Sequence, residues 1–499
     1  MKKIFFTFML FIGSIILILI SIYINIIFTV VLLIIAIILF GFIRYPQISV
    51  ERLILLAVFL APCTNIFVYR TGYIDLKILQ FIWGTIFAFI LIQKSLLKTR
   101  CFVMKANINN NIIFTLYLTG LLLSCLFSTN ITISIKELFQ YIYLFSMMYV
   151  LYTNARNKEF LNKIINIVIA SNAFLVCICL ISYFSGKMLI PSFNMFSNGA
   201  IEVLDNVYKT QALVESSNII NRVNGVMGLD TIAIANCVLI QSLIVNYKIR
   251  QVNGRSKLLF LILFLANVVT IMITYSRAAL FLFFIMNFIT LLGKDRKRNL
   301  VLIMLALCSI PFILSLVPNL YERILEAFNP QEGSTKYHFV YWLIALQEGY
   351  DNILTGIGLG NVAFNHDAYS YLFSKFGLYK PTGGAVDVHN FLLQIWAEQG
   401  AIGLFSNLIL ILSPIVHFIK VKFIRKSITG KTVYDFIILA YLAMIVFNLT
   451  NNNFYIEIFW VLLALVYVCK SNYVNEPVIN VGRVKVEEAY FKANIQIKG

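Results

Sequence analysis

The chain has 499 residues, is 60% hydrophobic and only 12% charged, and has a mean hydropathy of +0.86. That composition excludes an ordinary soluble enzyme; repeated apolar runs of spanning length define a polytopic membrane protein. The net charge of +18 does not signal nucleic-acid binding, because the basic residues form short clusters between apolar runs, where the positive-inside rule places them.

In chain order, hydropathy predicts an all-α membrane bundle of about fourteen spans: 4–23, 26–43, 52–69, 76–97, 112–127, 138–153, 163–184, 226–247, 258–275, 278–292, 299–317, 391–419, 433–448 and 454–469. Lys2 and Lys3 precede the first run, which is long, lacks a small-residue cleavage site and is followed at once by another span. It reads as a retained helix rather than a signal peptide. With both termini cytoplasmic, 29 of the 40 basic residues fall on the inner side. The expected organisation is N-terminal helices (1–184), a first outer loop (185–225), central helices (226–317), a large outer loop (318–388), C-terminal helices (389–470) and a cytoplasmic tail (471–499).

The large outer loop carries helical spacing at Phe339, Trp342, Leu343 and Leu346, and again at Tyr369, Leu372, Phe373 and Phe376. Between these lies Gly356-Ile357-Gly358-Leu359-Gly360-Asn361. Its spacing is not that of a nucleotide-binding glycine loop, so a turn allowing close backbone packing is expected. The eight cysteines lie in or beside apolar runs and outside both long loops, which argues against a disulfide framework or a cysteine metal site. Neither a metal-ligand cluster nor a nucleotide-binding lysine motif is evident, so no metal and no cofactor are expected.

Three cationic or ionisable groups fall at the outer face. Arg222 precedes the helix at 226–247 and reads either as a snorkelling loop arginine or as an anion ligand. Arg277 is pinned in the tight turn Tyr275-Ser276-Arg277-Ala278, where a guanidinium can grip phosphate bidentately. His389 stands where the large loop enters a span, either as a helix-start residue with Asp387 or Asn390 as cap, or as a general base. Nine residues on, Glu398 lies inside the span, where a carboxylate faces protein or a wet cavity; it either partners a buried arginine or orients a catalytic group. Gly400 and Gly403 offer a small face for a close helix approach. Asp230 suits the positive end of its own helix. An outer site has no access to cytosolic nucleotides, so a donor activated within the membrane, such as a glycan on a polyprenyl diphosphate, fits these groups.

The segment from His389-Asn390 through Glu398, Gly400 and Gly403, with Trp342 and the glycine turn before it, resembles the signature of the O-antigen ligase and O-antigen polymerase superfamily. The Ser276-Arg277-Ala278 turn and Asn221-Arg222-Val223-Asn224-Gly225 are similar to its arginine motifs. Together these cover roughly residues 220 to 405. In one departure, His338 stands four residues before Trp342, where the family often has arginine; it is not assigned to catalysis. The resemblance implies a metal-independent, inverting membrane glycosyltransferase acting on the outer face of the bacterial cytoplasmic membrane. Its donor would be an undecaprenyl-diphosphate-linked glycan and its acceptor a glycan or lipid, with a chain-length regulator protein as a further partner. His389 would be the base, Arg222 and Arg277 would hold the diphosphate, and Glu398 and Asn390 would support them. The leading expectation is polymerisation of repeat units of a surface polysaccharide, O-antigen or capsule. The alternatives are ligation of glycan to a lipid or protein, and a flippase or other transporter, which predicts polar residues scattered through many spans and an internal repeat.

Overall fold

The computed structural model describes residues 46–63, 67–70, 75–95, 108–155, 157–185, 213–215, 218–220, 223, 229–291, 333–362, 369–379, 388–425 and 432–475. The expected spans at 4–23, 26–43 and 299–317, Arg222 and most of the tail lie outside the described residues. What is described is dominated by helices: α1 (Pro46–Phe59), α2 (Ile78–Ser95), α3 (Ile108–Leu126), α4 (Ile131–Asn154), α5 (Lys158–Ser185), α6 (Thr231–Gln251), α7 (Gly254–Ile273), α8 (Arg277–Leu291), α9 (Gly333–Asp351), α10 (Tyr371–Lys375), α11 (Phe391–Arg425), α12 (Val433–Asn448) and α13 (Glu457–Asn475). Two short antiparallel hairpins accompany them, β1 (Phe67–Arg70) with β2 (Asp75–Lys77) and β3 (Leu213–Glu215) with β4 (Asn218–Ile220).

Five of these helices, α3, α5, α6, α7 and α11, are long and apolar enough to cross a membrane, and shorter apolar stretches occur in α2, α8 and α12. One expected span is corrected. The run at 52–69 does not continue as helix, because α1 stops at Phe59 and Phe67–Arg70 is a strand. Pro62 explains the stop, since it lacks an N–H and disfavours helical backbone at Ala61.

Burial orders the bundle. The apolar window of α6 is 72% buried but that of α7 only 28%, so α6 is central and α7 peripheral. α6 packs on α5, α7, α8 and α12; α13 packs on α4, α11 and α12; and α3 packs on α4 and α11. Between apolar helices, amides supply the attraction that the hydrophobic effect cannot. Asn172 Nδ2 on α5 donates to Asn267 Oδ1 on α7 (2.7 Å) and to Gln241 Oε1 on α6 (3.3 Å), and Asn267 Nδ2 returns a bond to Asn172 Oδ1 (3.0 Å).

Contacts among helix ends sort them into two sets. At one end, Arg250 of α6 donates to Thr290 of α8 (2.7 Å) and stacks on Phe436 of α12, while Lys470 of α13 donates to Ser413 Oγ of α11 (2.7 Å). At the other end, Thr129 N and Thr129 Oγ1 both donate to Ile357 O (2.9 Å each), Val223 N donates to Ile273 O (3.2 Å), and Gln394 Nε2 donates to the Tyr455 hydroxyl (2.8 Å). The second set gathers segments expected outside: the α3–α4 and α7–α8 turns, the large loop, and the α12–α13 connection.

Candidate functional site

The site is built on a broken helix. Gly400 interrupts α11 with φ 60° and ψ −161°, a conformation essentially reserved for glycine. In a continuous helix Ala397 O would pair with Ala401 N, and Glu398 O with Ile402 N. Instead, Ala397 O accepts from Ile357 N (2.9 Å), and Glu398 O accepts from Gly358 N (2.9 Å) and Ser124 Oγ (2.7 Å). On the far side of the break, Ala401 N donates to Ile353 O (2.7 Å) and Ile402 N to Leu354 O (3.2 Å). Two helical rungs are thus exchanged for four backbone bonds to the loop at 353–358. Within a membrane, broken helix backbone persists where protein re-satisfies it in this way.

This corrects the reading of Gly400 as part of a helix-packing face. What approaches Gly400 is loop backbone: a Cβ there would lie 2.5 Å from the Leu354 carbonyl carbon and 2.6 Å from Gly356 N. Gly403 does meet a neighbouring helix, with its Cα 3.5 Å from where a Cβ on Gly120 of α3 would stand. The expectation for the 356–361 turn holds: a Cβ on Gly356 (φ 67°) would sit 2.5 Å from Gln399 N. Asn361 anchors the turn to the α3–α4 connection, its Nδ2 donating to Ser128 Oγ (2.8 Å), Ile357 O (3.0 Å) and Ser134 Oγ (3.2 Å).

The clasp fixes the short first half of α11, residues 391–399. Asn390 caps it, with Oδ1 accepting from Leu392 N and Leu393 N (3.1 Å each). Inside this half, Gln394 Nε2 donates to Glu398 Oε1 (2.9 Å) and to the Tyr455 hydroxyl, while Asn452 Nδ2 donates to Gln394 Oε1. Glu398, 1% exposed, is thus met by an amide that also ties α11 to the α12–α13 turn. Phe391 stacks on Phe454 of that turn at 6.0 Å and 10°. On the opposite side Trp396 Nε1 donates to Leu346 O of α9 (3.3 Å), beside Gly349, where a side chain would collide with the indole.

His389 enters this half with φ 55°. Among the described residues only two non-glycine residues take positive φ: His389, and Tyr275, two residues before Arg277. Left-handed backbone is disfavoured for residues bearing a Cβ and collects at functional sites. Burial pushes the His389 imidazole below its ordinary 6.5, keeping it neutral near pH 7. His338 of α9 lies against it, ring centroids 4.4 Å apart at 65°.

Arg277 opens α8, partly buried. The preceding turn is tied by Thr274 Oγ1, which accepts from Ser276 N (3.3 Å), and by Ser276 Oγ, which accepts from Ala279 N (3.4 Å). A cation in the first turn opposes the helix dipole, so its presence there is not explained by helix stability. The Arg277 turn and His389 lie at the same end of the bundle. Arg250 at the α6 C-terminus stacks on Phe436 at the α12 N-terminus, so α6 and α12 run antiparallel. Val223, bonded to Ile273, leads into α6 through Thr231 Oγ1 (3.2 Å to Val223 O), so that turn sits beside the α12–α13 connection. Asp230 is the α6 cap, accepting from Ala233 N (2.6 Å).

Sequence reasoning noted His338 without giving it a role, and passed over Gln394 and the Asn451-Asn452-Asn453 turn. The run of three asparagines between two apolar spans was a usable signal; the pairing of His338 with His389, fifty-one positions apart, was not. No curated protein matches the chain significantly. The family profile described as O-antigen ligase matches residues 259–408, the stretch that contains the Arg277 turn, His338, the glycine turn, His389, Glu398 and the break at Gly400. Over those residues the chain is similar to the O-antigen ligase family, which agrees with the resemblance to the O-antigen ligase and polymerase superfamily.

Proposed function

We propose that the chain is a glycosyltransferase that polymerises undecaprenyl-diphosphate-linked oligosaccharide repeat units of a surface polysaccharide on the outer face of the cytoplasmic membrane. The observation that carries this reading is the coincidence of backbone outliers with the expected chemistry: His389 is itself left-handed, and the other outlier, Tyr275, belongs to the Arg277 turn. The proposed step is a single displacement. The acceptor hydroxyl oxygen bonds to the anomeric carbon as the bond to the diphosphate breaks, the electron pair leaves with the diphosphate, and the proton goes to neutral His389. Arg277 and Arg222 stabilise the developing phosphate charge without a metal, and the anomeric centre inverts. Asn390 and Glu398 act by holding the first half of α11.

The similarity to the O-antigen ligase family favours a second reading, ligation of glycan to a lipid or protein, which shares the donor chemistry and changes the acceptor. Reconstitution of the full chain with a lipid-linked oligosaccharide distinguishes them. A ladder of lengthening products supports polymerisation, a single transfer to an added acceptor supports ligation, and no transfer to any acceptor overturns both.

A further inference from the structure

A cavity of about 1050 Å³ lies between α2 and α4, away from the Arg277 turn. α7 and α8 pack on α6, with α5 and α12 beside them, whereas α4 packs on α3 and α13. The cavity's wall is apolar, with Phe87, Phe139, Ile142 and Met147 along it, and Phe139 is 69% exposed, so one apolar side of the cavity is open. Along α4 the lining runs from Thr132 to Val150. At 1.5 Å per residue that is about 27 Å, close to the thickness of a bilayer's hydrocarbon core.

One end is different. Lys77 and Lys136 line it, together with Gln80 and Gln140, whose side chains are joined by Gln80 Nε2 donating to Gln140 Oε1 (2.7 Å). Two buried N–H donors in the lining, Gln140 Nε2 and Trp83 Nε1, have no acceptor among the described residues. Buried donors left this way are costly and rare. Glu137 shares this end and Glu457 lies within electrostatic reach of Lys77, so the lysine charge is partly offset. Two donors here lack acceptors, and the anionic, acceptor-only group that a membrane lipid can bring to a polar end above an apolar slot is a phosphate ester. The same end adjoins the site already described. Glu137 lies against Gly360 of the clasp, and Tyr455, which also lines the cavity, takes the Gln394 hydrogen bond.

We propose that this cavity is a second lipid site, holding the prenyl diphosphate carrier of the acceptor glycan with its chain along α2 and α4 and its phosphates at Lys77, Lys136, Gln140 and Trp83. This rests on the glycosyltransferase reading, in which donor and acceptor are both lipid-linked and the donor's diphosphate is held by arginines elsewhere. The test is native mass spectrometry of the full chain in detergent with undecaprenyl diphosphate as probe, and undecaprenol and phosphatidylglycerol as comparisons. Wild type should bind two undecaprenyl diphosphates. Gly84→Phe fills the cavity from a position where an added Cβ meets nothing within 4 Å, and should weaken one of the two sites at least tenfold. Trp83→Phe, which removes the indole donor while keeping an aromatic ring in place, should weaken the same site several-fold. Wild-type binding by both variants overturns the inference, as does equal, equally sensitive binding of undecaprenol or phosphatidylglycerol. Loss of one site in Gly84→Phe with no glycan transfer by reconstituted wild type leaves the lipid site standing and removes the enzymatic reading. Full transfer by Gly84→Phe does the reverse.

Discussion

Gly400→Ala tests the clasp directly. Alanine at φ 60° and ψ −161° costs about 1–3 kcal/mol in backbone strain. Its Cβ would also stand 2.5–2.6 Å from Leu354 and Gly356 backbone, which cannot swing aside as a flexible side chain would. The strand of loop at 353–358 must then withdraw, and its four hydrogen bonds to α11 contribute about 0.5–1.5 kcal/mol each. Losing two of them with the strain gives a destabilisation of about 4 kcal/mol. A thiol-reactive fluorophore reports the melt in detergent, because Cys125, Cys179, Cys237 and Cys469 are buried and react only on unfolding. The midpoint should fall by several degrees or more. Gly84→Ala, in a helix interior with open space around the new methyl, should hold or raise it. An unchanged midpoint for Gly400→Ala would show that α11 simply closes its two missing rungs, and that the clasp contributes nothing.

Arg277→Lys keeps the charge but loses the planar fork, so transfer should drop at least tenfold at equal membrane abundance; near-normal rates would remove the bidentate role. Because burial lowers the His389 pKa, the base form persists on the acid side of neutrality. The acid limb of the rate profile should lie below pH 6.5, and a limb above it would point to another base. The same sign holds for stability: the contribution of neutral His389 is complete above pH 6.5 and is lost as pH falls. Transfer should survive EDTA, since arginines carry the charge stabilisation; loss on chelation with recovery on adding a divalent ion would refute that role.

Much of the bundle was legible because membrane helices announce themselves by length and apolarity. Val433–Asn448 is found where hydropathy placed it, whereas other described helices depart from the expected bounds: α4 begins at Ile131 rather than 138, and α11 and α13 run on to Arg425 and Asn475 rather than 419 and 469. The failure at 52–69 came from counting hydropathy without weighing Pro62, whose backbone effect is local and does not register in an average. Gly400 was misread for a related reason. Small residues spaced by three read equally well as a packing face or as permission for positive φ, and only the carbonyls at 397 and 398 finding Ile357 and Gly358 decide between them. The glycine turn and the Gly400 segment appeared in the sequence as two separate motifs; they are the two halves of one set of hydrogen bonds. His338 had no periodicity or spacing to connect it with His389, since that contact exists only once α9 lies along α11.

Those two halves also explain how a histidine can be held in an unfavoured conformation. The first half of α11 is nine residues, about 13 Å, too short to be a stable helix alone. It is fixed by the clasp at its end, by Gln394 and Phe391 against the 452–455 turn, and by Trp396 against α9. The residue that leads into it, His389, inherits φ 55° from that fixed position. If His389 served only to start the helix, asparagine would serve as well or better. It tolerates left-handed backbone readily and keeps a polar tip beside His338. His389→Asn should therefore insert normally and melt within a few degrees of wild type, in contrast to Gly400→Ala. If the imidazole is the base, the same variant should lose glycan transfer by about 10²–10⁴-fold, because a carboxamide cannot accept the proton. A conserved melting midpoint with abolished transfer is the signature of strain held for chemistry. Retention of transfer by His389→Asn would reduce the joint to a helix start and place the base elsewhere, with His338, 4.4 Å away, as the next residue to change.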